Sequence, residues 1–387
     1  MASNAKKKNN HFVPRSYLRR FCSRSDREIA LFNIKSQRTV LSAPIKSQCS
    51  RDYFYTKNPI FENEFAKIEG RQNILLDEII RAGIIPPRGS LGRSELSSGV
   101  MFQAGRTAST VVHADHLTNQ FGKAILRHHL EREGKTDLLE YLPKVEISTI
   151  NAVMDSIGQH LAMAPLIDDL DCTLFLNETS EDFLTSDHPV ALCNSMPGIR
   201  ASDRTLGFAS RGLIVLYPVT PKALLFLSDP EVYKIENPGR SAHLRKREDV
   251  IELNLAQFGN AYENVYFPDA TRVERTLNEF RRRSATVRPP RPVLSETTLI
   301  SSDERRRILL SMPIETRRQP LPKPVQIRHA VRKQRYKLGD HLVRDPLRTL
   351  VVREELGRLH KLREEATRRA ESEAGIQPAQ RAASTGS

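Results

Sequence analysis

Apolar residues change their spacing twice along this chain, and that change constrains the fold more tightly than any other feature. Between residues 28 and 42 they crowd into two short runs rich in β-branched and aromatic side chains, EIALFNI (28–34) and RTVLS (38–42). Lys35-Ser36-Gln37 separates the two, as the turn of a hairpin does. RDYFYT (51–56) is a third candidate strand. From residue 62 the period lengthens. In ENEFAKIEGRQNILLDEIIRA, Phe65, Ile68, Leu75, Ile79 and Ile80 recur near every 3.6 residues, the mark of an amphipathic helix with Gly70 as its weak point. A loop over 84–92 holds Pro86 and Pro87. Ser94 is the expected N-cap of a helix reaching about residue 119, with further helices over 121–133 and 147–164. Strand-like runs return in CTLFLN (172–177), DFLTSD (182–187), GLIVLYP (212–218) and ALLFLSD (223–229). A helix over about 248–262 and a last strand, NVYFP, complete the series. Strands at both ends around a central helical segment predict an α+β fold with a mixed, mostly antiparallel sheet.

Past Phe280 the composition shifts. RRRSATVRPPRPVL and RRQPLPKPVQIRHAVRKQRYK are rich in Arg and Pro and poor in core residues, which predicts a basic, largely disordered C-terminal extension. The expected organisation is an α+β domain over 11–270, an Arg/Pro-rich linker or arm over 271–344, an amphipathic helix over 345–375 and a tail over 376–387. Asp345-Pro346 supplies a cap and a first-turn proline for that helix, and Leu347, Leu350, Val351, Leu359, Leu362 and Ala366 form its apolar stripe. Such a stripe suits packing on the body or on a second copy, so a homo-oligomer through 345–375 is one expectation.

Charge follows the same boundary. The chain carries a net charge of +14, and residues 272–387 hold 27 Lys and Arg against 14 Asp and Glu, which leaves the front part nearly neutral. A cationic arm of this kind binds nucleic acid through its backbone, with salt-sensitive affinity. Tyr336 is its one aromatic residue after Phe280, too few for base stacking to dominate. No run of about 18 apolar residues marks a membrane span. The opening MASNAKKKNN is basic but lacks the apolar core of a secretory signal. Cys22, Cys49, Cys172 and Cys193 form no C-x-x-C pair, which fits a reducing cytoplasm rather than a disulfide framework or a zinc ribbon.

Several polar residues sit where chemistry could use them. His11 opens an apolar run in NHFVPRSYLRRF and suits acid–base work near neutrality, or a hydrogen bond at the domain edge. Glu62 and Glu69 lie two helical turns apart, on one face, where two carboxylates can hold Mg²⁺ or Mn²⁺ or form a solvated surface. Gln103, Arg106, Thr110 and His113 fall on one polar stripe of a mostly apolar helix. Arg106 there needs either a core acid or a bound anion such as phosphate. Arg106 and His113 also fit the loose R-x4–6-H pattern of HEPN ribonucleases. In FLTSDHPV, Asp187 ends a buried strand, a place for a metal ligand or general base, or for a turn cap. Neighbouring strand residues point to opposite faces, so Asp187 and His188 are not expected in one pocket, and Asp187 is the favoured member.

HFVPRSYLRRF, QCSRDYFY, ENEFAKIEG, QAGRT, FLTSDHPV, YPVTPKALLFLSD and LNLAQFGNAYENVYF occur in the order of the domain-of-unknown-function 4238 family, which this chain resembles over about residues 11–267. The shared pattern places His11, Pro14, Tyr17, Glu62, Glu69, Gln103, Arg106, Thr107, Asp187, Pro189, Pro218, Pro221, Lys222 and Asn254 at family positions. Family members often have Pro after Arg-Thr. Ala108 stands there in this chain, which predicts a straighter helix. His188 occupies a position where Asn is common, and His113 is outside the pattern. The resemblance implies bacterial soluble proteins and no particular reaction.

Three functions follow. The first is a metal-dependent, nuclease-like hydrolase of a phosphodiester or other anionic substrate. His11, Glu62, Glu69 and Asp187 would be catalytic, and Glu62, Glu69 and Asp187 would hold the divalent metal. Gln103, Arg106 and Lys222 would bind substrate. The second is a non-catalytic module for an anionic ligand or nucleic acid, with a possible place in bacterial defence. The third is an interaction protein that assembles through the C-terminal helix. No H-E-x-x-H, Walker A or G-x-S-x-G signature selects a mechanism.

Overall fold

The computed structural model describes residues 9–22, 26–55, 59–149, 151–197, 207–283, 295–300, 306–311, 321–334 and 343–373. In chain order these form β1 (Asn9–His11), α1 (Arg15–Arg19), β2 (Glu28–Asn33), β3 (Arg38–Pro44), β4 (Ser50–Asp52), α2 (Pro59–Ala82), α3 (Leu91–Gly105), α4 (Ala108–Arg132), α5 (Ala152–Ala162) and α6 (Pro165–Asp168). There follow β5 (Asp171–Asn177), β6 (Thr185–Ser186), β7 (Ala191–Asn194), β8 (Leu213–Thr220), β9 (Ala223–Ser228), β10 (Tyr233–Ile235), β11 (Ser241–Leu244), α7 (Arg247–Asn260), β12 (Asn264–Phe267) and α8 (Val273–Arg283). The last elements are β13 (Ser295–Ile300), β14 (Arg306–Ser311), β15 (Val325–Ile327), α9 (His329–Arg332) and α10 (Pro346–Glu373). Residues 1–344 and 345–387 are separate compact units.

The fold is α+β. A five-stranded sheet runs β11-β5-β9-β8-β7, antiparallel except for β11 against β5. A four-stranded antiparallel sheet runs β3-β2-β12-β6. The expected hairpin at 35–37 is β2–β3, with Gln37 at positive φ in its turn. The run at 51–56 contributes only β4, which pairs with β1 outside both larger sheets.

The central strands are apolar without alternation because both faces of the five-stranded sheet are covered. Val215, Tyr217, Leu225 and Leu227 point into a core shared with Tyr17, Leu18, Leu96, Val100 and Met101 from the helices α1 and α3. Ile214, Leu216, Leu224 and Phe226 point the other way, onto Val250 and Leu253 of α7 and onto Val325 and Val331. Period-two patterning is thus hidden by apolar residues at every position.

Packing against this body continues past residue 270. Val273, Leu277 and Phe280 of α8 are buried with α7 and β12. β15 adds antiparallel to β10, and Val325 and Val331 close the second core. Arg344 then inserts its guanidinium among Asp169, Leu166, Phe208 and Ser210, with Nε 2.7 Å from Asp169 Oδ2. Arg and Pro dominate this stretch, so its few apolar anchors carry little weight in composition. The extension expected to be disordered otherwise falls largely on residues 284–294, 301–305, 312–320, 335–342 and 374–387, outside the described residues.

α10 begins at Pro346 and is capped by Asp345, whose Oδ1 accepts from Arg348 N at 2.9 Å. Leu347, Leu350, Val351, Leu359 and Leu362 are exposed on it.

The helical middle differs from expectation in one consequential place. The helix expected to run straight from Ser94 to about residue 119 starts at the Ser90 cap and stops at Gly105. Thr107, at φ −81° and ψ 155°, then caps α4, which runs unbroken to Arg132. The break needs no proline. The Thr107 side chain accepts from Thr110 N and leaves the helical region to do so. Gln103 and Arg106 therefore do not continue onto one straight stripe with Thr110 and His113.

Candidate functional site

The spacing of Gln103 and Arg106 has a direct cause. β1 ends at His11, and the carbonyls just past that end need donors. Gln103 Nε2 donates to Phe12 O at 3.1 Å, and Arg106 Nη2 donates to His11 O at 2.6 Å. Donors three residues apart at the end of α3 thus serve consecutive carbonyls of the HFVP segment. Tyr55 Oη also donates to His11 O, at 2.8 Å, and accepts from Arg106 Nε at 2.7 Å. Glu69, from α2, places Oε1 2.6 Å from Arg106 Nη1. Phe102 and Tyr55 present their rings to the guanidinium, with the Phe102 centroid 4.7 Å away. Burial pushes the Tyr55 phenol up to about 12 against the pull of Arg106. Arg106 is 1% exposed, so this ion pair is internal, the core-acid arrangement rather than an open anion clamp.

The other expected site residues lie apart from this network. The His11 imidazole donates from Nε2 to Lys46 O at 3.0 Å, so its main chain rather than its ring serves Arg106. Glu62 stands two turns before Glu69 on α2, partly exposed, and its charge acts on Tyr55. Lys222 Nζ ties a loop, 2.9 Å from Asp182 Oδ1 and 2.9 Å from Thr179 O. Asp187 caps the turn between α7 and β12. Its Oδ1 accepts from Tyr262 N at 2.8 Å, and its Oδ2 accepts from Glu263 N at 2.7 Å and Asn264 N at 3.0 Å. Burial raises the Asp187 carboxyl to about 6, although the three amides pull it down.

Among the described residues, no three His, Cys, Asp or Glu side chains are grouped to hold a metal ion. Glu69 is committed to Arg106, and both Asp187 oxygens are committed to backbone amides. Glu62, Glu69 and Asp187 therefore do not fit a shared Mg²⁺ or Mn²⁺.

A different set converges at the α3–α4 break, and sequence reading missed it. His188 emerges opposite Asp187, as alternation along an extended chain requires. Its Nδ1 lies 2.7 Å from Thr107 Oγ1. His113 on α4 donates from Nδ1 to Ser109 O at 2.8 Å, and His160 on α5 donates from Nδ1 to Ser156 O at 2.8 Å. Both therefore carry the Nδ1 proton when neutral, which leaves Nε2 as a lone pair. Among the described residues, Nε2 of none of the three has a hydrogen-bond partner. His160 packs so closely on the end of α3 that a Cβ on Gly105 would lie 2.7 Å from His160 Cβ. Burial first, then the charges of His113 and His160, lower His188 to about 3. The half-buried ring is thus neutral at physiological pH.

The backbone of His188 is held from both sides. Asp187 anchors the residue before it. Asn260 Nδ2 donates to His188 O at 2.6 Å, and Gln257 Nε2 donates to Ser186 Oγ at 2.7 Å. Tyr17 joins the strands behind: its Oη donates to Pro218 O at 2.5 Å and lies 2.8 Å from Thr185 Oγ1, linking β8 to β6. Asn254 fixes the approach, accepting from Leu184 N at 2.9 Å and donating to Asp182 O at 2.8 Å. One sequence signal was available for the cluster. Ser109/His113 and Ser156/His160 share an i, i+4 spacing, which lets a helical histidine lean back onto the carbonyl one turn earlier. His188 had no such signal, because its partner Thr107 is distant in sequence.

A family model described as protein of unknown function (DUF4238) matches residues 9–271. The chain belongs to this family. Two internal units within the matched stretch hold the H-F-V-P, E-x6-E, Q-x2-R-T and T-S-D-x-P motifs in place. Glu69 neutralises the arginine that, with Gln103, serves the H-F-V-P carbonyls, and the T-S-D strand is latched to the closing helix and strand. No curated protein and no solved structure matches the chain. Among the described residues, no helix is long and apolar enough to cross a membrane.

Proposed function

We propose that the chain is a hydrolase of anionic, phosphodiester-type substrates whose acid–base groups are His188, His160 and His113. The observation supporting this reading most directly is three histidines around one helix break, near enough for His113 and His160 to act electrostatically on His188, each tied through Nδ1 and, among the described residues, each with Nε2 unpartnered. Burial, with the charges of His113 and His160, works against a proton on His188. An anion gives them a reason to meet, because its charge offsets theirs. The positive end of the 25-residue helix α4 acts in the same sense.

The chemistry is a proton exchange across the phosphorus. Water or a substrate hydroxyl gives its proton to His188 Nε2 as its oxygen bonds to phosphorus. The bond from phosphorus to the leaving oxygen breaks, and that oxygen takes a proton from a second, protonated imidazole. His113, the most exposed of the three, is the candidate acid. In the free protein His188 binds a proton too weakly to be an effective base. A phosphodiester beside it raises that affinity, whereas a neutral substrate does not. The reading moves the chemistry from the carboxylates to the imidazoles and keeps the substrate class.

A binding role without catalysis is the second reading, supported by the 27 Lys and Arg against 14 Asp and Glu over residues 272–387; Arg106 and Lys222, paired with Glu69 and Asp182, would not hold its ligand. The basic extension is proposed as a backbone contact to nucleic acid in either case, and α10 as a self-association helix.

The test is cleavage of labelled single- and double-stranded RNA and DNA with Mg²⁺, Mn²⁺ or EDTA, comparing wild type with His188→Asn and Asp187→Ala. The expected result is cleavage that persists in EDTA and falls roughly 10²–10⁴-fold in His188→Asn, the range general acid–base catalysis supplies. Metal-dependent cleavage that survives His188→Asn and is lost in Asp187→Ala overturns the reading in favour of the carboxylates. Salt-sensitive binding with no cleavage of any substrate favours the binding module.

A further inference from the structure

Thr107 is fully buried, yet its hydroxyl takes part in more short contacts than a helix cap needs. It accepts from Thr110 N at 3.4 Å, lies 3.0 Å from Thr110 Oγ1 and lies 2.7 Å from His188 Nδ1. Thr110 Oγ1 in turn donates to Ala104 O at 2.7 Å, across the helix break.

Each hydroxyl has one proton, and this fixes the direction of every bond. The Thr110 proton is committed to Ala104 O, which can only accept. In the contact between the two threonines, Thr107 must therefore donate. Its proton spent, Thr107 can only accept from His188, so Nδ1 carries the imidazole proton. Three short contacts then hold three protons, and both acceptor positions of Thr107 are filled, by Thr110 N and by His188. In the reverse assignment Thr107 donates to His188, and two oxygen lone pairs face each other at 3.0 Å.

We propose that Thr107 and Thr110 form a one-way hydrogen-bond relay that holds His188 as the Nδ1–H tautomer and leaves its Nε2 as a lone pair. Thr107 and Thr110 are positioning residues. Thr107 is too buried to meet a substrate, so it is not a nucleophile. The relay gives His188 the same protonation pattern that backbone carbonyls give His113 and His160. Its use in catalysis rests on the hydrolase reading above, but the tautomer itself does not.

The experiment is two-bond ¹H–¹⁵N spectroscopy of the full chain labelled at histidine nitrogens, at pH 7, with the His188 signals assigned by their loss in His188→Asn. Wild type is expected to show a protonated Nδ1 and an unprotonated Nε2 at His188. Thr107→Ser keeps this pattern. Thr110→Val removes the acceptor for the Thr107 proton, which then turns to Nδ1 and moves the imidazole proton to Nε2, while His113 and His160 keep theirs on Nδ1. A wild-type His188 protonated on Nε2 overturns the relay even if a variant fails to fold, and so does a Thr110→Val protein that folds and keeps the wild-type tautomer. If the chain cleaves phosphodiesters, Thr110→Val lowers kcat roughly 10²–10⁴-fold with KM nearly unchanged. Absence of cleavage removes the hydrolase reading and leaves the tautomer result standing.

Discussion

Glu69→Ala tests whether Arg106 is a structural or a ligand-binding arginine. The Arg106 side chain is 2% exposed and that of Glu69 24%, and their charged atoms lie 2.6 Å apart. At about 4 Å between charge centres and an effective dielectric near 20, the attraction is about 4 kcal/mol. Removing one partner of a fully buried pair costs about 3–5 kcal/mol, because the other charge stays behind unpaired. Water can reach the Glu69 side, so the expected loss is lower, about 2–3 kcal/mol. The guanidinium keeps Tyr55 Oη and His11 O, neither of which carries a compensating charge. Arg106→Leu strands those two oxygens instead and is expected to cost about 1–3 kcal/mol. In the Glu69→Ala, Arg106→Leu double variant the two losses overlap by about 1–2 kcal/mol. Urea denaturation followed by circular dichroism measures all four proteins. A Glu69→Ala protein within about 0.5 kcal/mol of wild type, with an unchanged m-value, refutes the argument. Arg106 would then not depend on Glu69, and its guanidinium would be available to an external anion.

Two further outcomes follow from the same geometry. Asp187 and His188 should oppose each other as pH falls. Raised from 3.8 to about 6, Asp187 binds more protons folded than unfolded and adds up to about 3 kcal/mol as pH drops through that window. His188, lowered from 6.5 to about 3, binds fewer and removes at most about 5 kcal/mol over its own window, less as water reaches the half-buried ring. Compared with wild type between pH 6 and 4, Asp187→Asn should lose stability more steeply on acidification and His188→Asn less steeply. Parallel curves for all three proteins would rule out both shifts. Gly105→Ala gains about 1 kcal/mol of helix propensity but drives a methyl to 2.7–3.0 Å from His160, for a net loss of about 1–2 kcal/mol in thermal unfolding. His160 resonances should move with it, and a stabilised variant with unmoved His160 would contradict the packing.

Element types were legible in the sequence wherever one period ran long enough. α2 shows at Phe65, Ile68, Leu75 and Ile79, and β8 and β9 show as unbroken apolar runs. The α3–α4 break was not legible because its cause is one threonine hydroxyl inside an otherwise helical pattern. Ala108, read as a sign of straightness, removes only one of two ways to end a helix. The role of 321–334 was hidden for a different reason. Val325 and Val331 are two apolar anchors in an Arg/Pro-rich stretch, and average composition cannot register the burial of two side chains in a core built elsewhere. Of the candidate residues, Glu69, Gln103 and Arg106 were legible as partners in kind, since a buried arginine requires an acid. That His11 contributes its carbonyl rather than its ring could not be read, because backbone acceptors leave no mark in residue type.

The family pattern and the imidazole cluster separate in an informative way. Tyr17, Gln103, Arg106, Asp187 and Asn254 all lie within the stretch that the family model matches, and each satisfies backbone groups or closes an internal pair. They hold this fold together. His113 and His160 lean on carbonyls of their own helices, and the main chain at His188 is held by other residues. Asp187 and Asn260 would hold residue 188 in place whichever side chain it carried. His188→Asn leaves those main-chain bonds in place, so it separates chemistry from stability more cleanly than any change at Arg106 or Asp187. If cleavage vanishes in that variant while folding at neutral pH is intact, the activity belongs to this chain's histidines on a scaffold that its relatives share.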